Sequence, residues 1–368
     1  MSPRLGALLV AVFFASAVTA GCEDKPPPPP PAPPAASASA APSSSASPAP
    51  GGSGSKVAAP PLPATPLALP ELKVPADNAL TPAKVALGKQ LFFDKRLSKD
   101  FTSSCETCHA PEKGWSDGRP LTQKVGGATN TRHTPSLFNV GYGQAFGWDG
   151  RSDTLEKEVA TQWTTQMGAE LPTITASIAK IPGYATQLKA VFGGDPSPEM
   201  IVKAIAAYVR TIRSGGSPWD RFEKGEKRAV GEDAQRGFEL FKGKASCTQC
   251  HAPPLYTDDA FHNLGVGFDK PDRDLGRGKV ASDDKLNGAF KTPSLRSIST
   301  HPPYLHDGRA LSLEQAVDVM LAGGIKEKNK GLDPKVKPIK LTSKEKDDLL
   351  AFLKSLEATV AVERPRLP

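Results

Sequence analysis

The chain has 368 residues, a hydrophobic fraction of 38% and a formal net charge of +7. That length holds two ordinary domains, and the charge is spread along the chain rather than gathered in a basic block, which argues against nucleic-acid binding. Of five cysteines, four fall in two short motifs and the fifth is Cys22, so no disulfide framework is left to build.

In chain order, residues 1–22 have the form of an export signal: Arg4, the apolar run Leu5–Val18, then Thr-Ala-Gly-Cys22. A cysteine directly after Ala-Gly resembles a bacterial lipoprotein cleavage site, with Cys22 as the lipidated residue. Thr19 stands where such sites usually carry Leu or Val, so ordinary signal-peptide cleavage stays open beside it. The run is too short to favour a permanent spanning helix. From Lys25 to about Pro66 the chain is nearly all Pro, Ala, Ser and Gly, which cannot bury enough apolar surface to fold. The expectation is a linker over 23–71, part stiff and part flexible, that would tether the folded part to a membrane if Cys22 carries lipid.

The folded part is expected from Leu72. Thr81-Pro82 caps a helix over Ala83–Phe93. It leads to Cys105-Glu-Thr-Cys108-His109, the first copy of C-x-x-C-H, the attachment motif of c-type haem. Two thiols at this spacing reach the two vinyl groups of one porphyrin, and the adjacent histidine turns onto the iron. After His109 a long irregular region runs to Thr134-Pro-Ser-Leu137. Ser197-Pro198 opens a segment to Arg213 whose Ile201, Ile205, Tyr208, Val209 and Ile212 fall at helical spacing. A helix over Asp233–Lys242 runs into the second motif, Cys247-Thr-Gln-Cys250-His251. Leu313–Leu321 reads as a helix, and Thr342-Ser-Lys-Glu345 is a capping box opening another to about Leu356. A redox dithiol gives no reason for histidine beside both C-x-x-C copies. A zinc site wants its ligand pairs close in sequence, and these lie about 140 residues apart.

The two halves repeat each other. Thr134-Pro-Ser-Leu137, Trp148-Asp-Gly-Arg151 and Thr154-Leu-Glu156 recur as Thr292-Pro-Ser-Leu295, His306-Asp-Gly-Arg309 and Ser312-Leu-Glu314. The offset from Thr to Asp is 15 in both halves, and from Asp to Leu it is 6 in both. The pattern implies a mainly α fold: two cytochrome-c-like haem domains related by internal duplication, with long irregular loops, over 72–230 and 231–368. The copies also differ. Thirteen residues after the Asp, the second has Met320 and the first Gln162, and Trp148 is replaced by His306.

The region from Leu87 to Gly324 resembles the bacterial di-haem cytochrome c peroxidases and their MauG-like relatives. The residues that carry the resemblance are Leu87-Gly-Lys-Gln-Leu-Phe-Phe-Asp94, Arg96-Leu-Ser98, both C-x-x-C-H motifs, Trp148-Asp-Gly-Arg151, Pro303-Tyr304 with His306-Asp-Gly308, and Leu313-Glu-Gln-Ala-Val317 leading to Met320. The resemblance implies two covalently bound haem c groups: a peroxidatic one on Cys105, Cys108 and His109, and an electron-transfer one on Cys247, Cys250 and His251. Met320 stands where the family's second axial ligand lies, a place taken by Tyr in MauG-like enzymes. Met200 and Met167 are expected in the core or in local loops. The loop histidine that many members place sixteen residues after the first proximal histidine falls here on Val125, which implies a five-coordinate or water-bound iron, with His133 the rival as the one other histidine nearby. His133 replaces an Asn that helps bind a structural calcium, whose other family ligands match the carbonyls of His301 and Pro303. The replacement counts against calcium. Gln166-Met167 stands, allowing a two-residue gap, where the family has a distal Glu followed by Met. Gln positions peroxide but cannot shuttle a proton, and Glu170 is the candidate substitute. Trp148 corresponds to the tryptophan between the haems, and Tyr304 and His306 to residues near the propionates or the domain interface. His262 receives no role.

The implied function is reduction of hydrogen peroxide to water with electrons from a small periplasmic cytochrome c or cupredoxin. The alternatives are a MauG-like oxidase that modifies a partner protein, against which Met320 argues, and a non-enzymatic di-haem electron carrier. The implied location is the periplasm, and a homodimer is one arrangement the resemblance allows.

Overall fold

The computed structural model describes residues 59–326 and 331–368. The export segment, Cys22 and the Pro-rich tract as far as residue 58 lie outside the described residues. Among those described, no helix is long and apolar enough to cross a membrane.

Each half is built on a pair of crossed helices. In the first, α1 (Pro82–Phe93) begins where the Thr81 hydroxyl accepts the Lys84 amide at 3.2 Å. The one-turn α2 (Cys105–Cys108) follows, then α3 (Leu155–Thr165), α4 (Leu171–Ala179), α5 (Pro182–Phe192) and α6 (Pro198–Val209). Helix α1 crosses α6 so closely that a Cβ on Gly88 would stand 1.8 Å from the Ala204 carbonyl oxygen. Only glycine lets two helix backbones approach this far. The short α7 (Pro218–Glu223) leads to the second half: α8 (Glu232–Lys242), α9 (Arg277–Ala281), α10 (Leu313–Leu321) and α11 (Ser343–Ser355). There Gly237 of α8 does the same against α11, where a Cβ would lie 1.9 Å from the Asp348 carbonyl oxygen. The extended pieces β1 (Phe261–Asn263) and β2 (Ala289–Lys291) pair antiparallel. The result is the mainly helical, loop-rich architecture expected, with helix limits close to those read from the caps. The segment opened by Ser197 stops being helical at Val209.

The duplication extends into the cores. Phe92, Trp115 and Tyr208 meet edge to face with centroids 5.3–6.3 Å apart. Phe241, Tyr256 and Phe352 cluster likewise in the second half at 5.0–6.1 Å, Tyr256 edge to face with both phenylalanines and those two tilted, within the range where aromatic pairs attract. Both Asp-Gly-Arg turns place glycine at positive φ, +65° at Gly150 and +67° at Gly308. Each closes a short antiparallel bridge, Phe146 to Ser152 and Tyr304 to Ala310.

Two expectations about boundaries need correction. Ordered structure begins before Leu72. Arg213 donates to the carbonyls of Pro63 and Ala64 at 2.7 and 3.0 Å, Gly216 N–H donates to Leu67 O at 3.0 Å, and Leu69 is buried. Proline-rich backbone keeps its carbonyl acceptors, and the half-buried Arg213 guanidinium takes them as partners. The C-terminal tail also leaves the second half. Val360 and Val362 pack on the first core, Arg364 pairs with Glu106 and Glu112, and Arg96 donates to Pro368 O at 3.0 Å.

Candidate functional site

The first motif is a single helical turn. Ser104 and Thr107 form a reciprocal capping box around it, and the i,i+3 spacing puts Cys105 and Cys108 on one face. His109 N–H closes the turn on Cys105 O at 3.0 Å. Its Nδ1–H donates to the Trp115 carbonyl at 3.0 Å, which leaves Nε2 as the bare, ligand-ready nitrogen. The second motif repeats this with different local structure. Cys247–Gln249 is a 3-10 turn, His251 N–H donates to Cys247 O at 2.8 Å, and Nδ1–H donates to the Tyr256 carbonyl at 2.9 Å. Both carbonyl-bearing residues, Trp115 and Tyr256, sit at positive φ, +62° and +54°. That is an uncommon conformation for bulky residues, and here it turns a carbonyl onto the motif's histidine.

Burial lowers the pKa of both histidines, keeping the rings neutral. The same burial pushes Cys105 and Cys247 up to about 12 and Cys108 to about 11, with Cys250 also raised. Thiols raised in this way lack the depressed pKa of a reactive redox dithiol.

Both motifs open on one cavity of about 1600 Å³, well above the ~300–1000 Å³ of a single-ligand pocket. Trp148 lines it at the seam between the halves. Its Nε1–H donates to His133 O at 2.7 Å, its carbonyl accepts from Lys291 N at 2.8 Å, and its ring meets His306 edge-on at 6.5 Å. Met320 projects from α10 onto the cavity wall, half-buried. Gln166 also lines the cavity, its Oε1 accepting from Asn130 Nδ2 at 2.8 Å, so its own amide N–H groups remain as donors. Val125 holds the Gln166 carbonyl through its backbone N–H at 2.9 Å. Met167 is buried in the first core, and Met200 packs against it.

Glu170 is not part of this wall. Its carboxylate turns outward to cap α4, accepting from Thr173 N at 3.1 Å, and the residue is exposed. A helix start leaves unpaired N–H groups that draw an acidic side chain to them, which explains why the loop does not turn inward.

Two residues given no role from sequence stand in the wall instead. Gln162 and Glu158 lie on the cavity face of α3, with Gln162 Nε2–H donating to Glu158 Oε1 at 2.7 Å and Ser152 Oγ–H donating to Oε2 at 2.7 Å. Gln162 was visible in the repeat as the counterpart of Met320. The same register pairs Glu158 with Ala316, a difference the sequence also carried.

The remaining histidines separate by their partners. His133 is buried, bonded through Nδ1 to Arg119 O at 2.8 Å and through Nε2 to Ser116 Oγ at 3.4 Å. Burial lowers its pKa. His262 lies between two carboxylates, Asp333 at 2.6 Å from Nδ1 and Asp258 at 2.9 Å from Nε2. His306 is 4% exposed and stacked on Phe290 at 3.5 Å, and its Nε2 has no hydrogen-bond partner. A buried orphan nitrogen on the wall of a large cavity calls for a polar partner that a ligand would bring. With paired thiols and a free imidazole nitrogen at each motif, the residues present fit a haem on each side.

The family model for "Di-haem cytochrome c peroxidase" matches residues 82–228. The methylamine utilization protein MauG of Methylorubrum extorquens is 42% identical, aligned over 80% of this chain and 84% of its own length. The cytochrome-c peroxidase IdrP1 of Denitromonas iodatirespirans is 36% identical over 82% of this chain and 89% of its own. Among solved structures, a MauG-like protein associated with microbial copper homeostasis superposes with a TM-score of 0.73 at 32% identity, covering 80% of this chain and 94% of that one. Alignments of this extent take in both halves and both C-x-x-C-H motifs, and the chain therefore belongs to the di-haem cytochrome c peroxidase family.

Proposed function

We propose that the chain is a di-haem c-type peroxidase that reduces hydrogen peroxide to water, taking electrons one at a time from a small c-type cytochrome or cupredoxin. Haem, when bound, supplies an iron that exchanges single electrons and, where a coordination position is open, binds peroxide. In this reading Cys105 and Cys108 hold one haem covalently with His109 as ligand, and Cys247 and Cys250 hold the other with His251. The observation that carries it is the contrast at one register of the repeat: Gln162 on α3 against Met320 on α10, both facing the cavity. Met320 would supply a thioether to a haem held by the second motif, and such a haem would be suited to relaying electrons. A carboxamide such as that of Gln162 is a poor iron ligand, so a haem held by the first motif would be left able to take peroxide, which the free amide N–H groups of Gln166 would orient. Trp148 lies at the seam, tied to both halves, and is the route between them.

The similarity to MauG favours a second reading, oxidation of a partner protein. Met320 supports the peroxidase over it, since that position is Tyr in MauG-like enzymes. The export-type segment supports a periplasmic location, with Cys22 as a lipid tether. His133 already bonded through both ring nitrogens weighs against calcium at that point. The test is EPR of the oxidised and half-reduced holoprotein, followed by peroxide turnover with a reduced small cytochrome. A high-spin signal from the His109 haem together with turnover is expected. Two low-spin haems and no turnover would sink the proposal.

A further inference from the structure

If peroxide is reduced at the His109 side, a group there must take a proton from one oxygen and deliver it to the other. Gln166 cannot do this and Glu170 faces solvent. The carboxylates on the cavity wall narrow the choice. Asp149 is paired with Arg132 and Arg151, Asp274 with Arg132, Asp258 with His262, and Asp259 with Lys291. A carboxylate held by a cation is poorly suited to accept a proton. Asp272 is exposed. Glu158 is different: it is half-buried, and the partners holding its carboxylate, Ser152 and Gln162, are both neutral.

Its placement follows from the duplication. Glu158, Gln162 and Gln166 stand four residues apart along one face of α3 and its C-cap, so they stack over one another. Their counterparts in the second half are Ala316, Met320 and Gly324. The residue at Met320's register faces the iron side of its motif in this reading, and Glu158 lies one turn back on that face, joined to Gln162 by the 2.7 Å hydrogen bond. The second half, which has no proton to move, carries a methyl group there.

Resting on the peroxidase reading, we infer that Glu158 is the proton-transfer residue of the His109 site and that Gln162 holds its carboxylate toward the bound substrate. Glu158 takes the proton from one peroxide oxygen and gives it to the other. The O–O bond breaks with that oxygen leaving as water, carrying both peroxide protons. Two electrons from the reduced donor protein and two protons from solvent complete the second water, so that H2O2, two electrons and two protons give two waters. Ser152 and Gln162, as neutral donors, fix the carboxylate's orientation without holding its charge.

The test compares ligands that must lose a proton on binding with one that does not. Stopped-flow measurements on wild-type and Glu158→Gln holoprotein would follow hydrogen cyanide and peroxide binding to the oxidised protein, and carbon monoxide binding to the reduced protein. Glu158→Gln is expected to slow cyanide and peroxide association about 100-fold, the lower end of the ~10²–10⁴ typical of a lost acid–base group, with carbon monoxide binding unchanged. Glu158→Asp should recover part of the loss. Equal slowing of all three ligands would make Glu158 a structural brace and overturn the inference, as would unchanged cyanide and peroxide rates in a variant whose wild type turns over peroxide. A wild type that binds none of the three fails at the earlier step, the open His109 site, and that outcome rejects the peroxidase reading itself.

Discussion

At the scale of single residues, the histidine of each C-x-x-C-H motif is held by one backbone carbonyl. Trp115 and Tyr256 differ in side chain and in distance from their motifs, yet each adopts positive φ to aim its carbonyl at the histidine Nδ1. No side-chain motif announces a carbonyl, so this contact was illegible in the sequence, whereas the thiols and histidines were legible because their chemistry is in the side chains. His262 is a second case. Its two ring nitrogens both lie within hydrogen-bond distance of carboxylates, an arrangement satisfied only by a doubly protonated ring. Burial disfavours that charge, but the hydrogen bonds and charges of Asp333 and Asp258 outweigh it and raise the histidine above its ordinary value of 6.5. A histidine with a raised folded-state pKa contributes stability that is complete below its unfolded value and is lost as pH rises through the folded one. The wild-type holoprotein should therefore lose thermal stability relative to His262→Gln as pH rises above about 6.5, the ring's ordinary value. A constant difference in melting temperature through that rise would mean that the ring is neutral throughout.

At the scale of elements, the caps made helices readable. Thr81, Ser197, Ser312 and Thr342 each accept a backbone N–H in the first turn of the helix they open, and in each case the boundary lies within a residue or so of its expected place. Helices α4 and α5 gave weaker signals. The first is capped by Glu170, which looked like a catalytic candidate, and the second by Ile181, which makes no side-chain cap at all. The crossings α1 on α6 and α8 on α11 depend on Gly88 and Gly237, and a lone glycine inside a helical pattern does not show what backbone it meets. Because the neighbouring atoms at 1.8 and 1.9 Å are main-chain carbonyls, they cannot swing aside as a side chain would. Gly88→Ala and Gly237→Ala should each destabilise by about 2 kcal/mol or more, at the upper part of the overpacking range. Denaturant unfolding of the holoprotein measures this, and a loss under ~0.5 kcal/mol, typical of an innocuous surface change, would show that the helix pairs separate easily.

At the scale of the whole molecule, the two halves meet through a charged bridge beside the proposed electron route. Arg132, from the first half, donates to Asp149 at 2.6 Å and to Asp274 of the second half at 2.6 and 2.7 Å, and its guanidinium lies over Phe290, which in turn stacks on His306. No motif in the chain pointed to this bridge, because its partners lie 17 and 142 residues away. The sequence did show the Asp-Gly-Arg turn that holds Asp149 in place. Removing one member of a buried ion pair leaves the others uncompensated, at about 3–5 kcal/mol. With Asp274 partly exposed at 23%, the lower end applies to Arg132→Leu. Burial pushes the carboxyls of Asp149 and Asp274 up, but hydrogen bonds from Arg151 and Arg132 in the first case, and from Arg132 in the second, outweigh it and hold both below the ordinary 3.8. A depressed carboxyl contributes stability that is present above its unfolded pKa and lost as pH falls through the folded one. The melting-temperature gap between wild type and Arg132→Leu should thus be largest at neutral pH and close as pH falls below the ordinary carboxyl value of 3.8. Trp148 lies on the same seam, so the variant should also slow electron transfer between the two haems while leaving each haem's own spectrum unchanged. Equal transfer rates in the two proteins would separate the bridge from the electron route and leave Arg132 a stabilising contact alone.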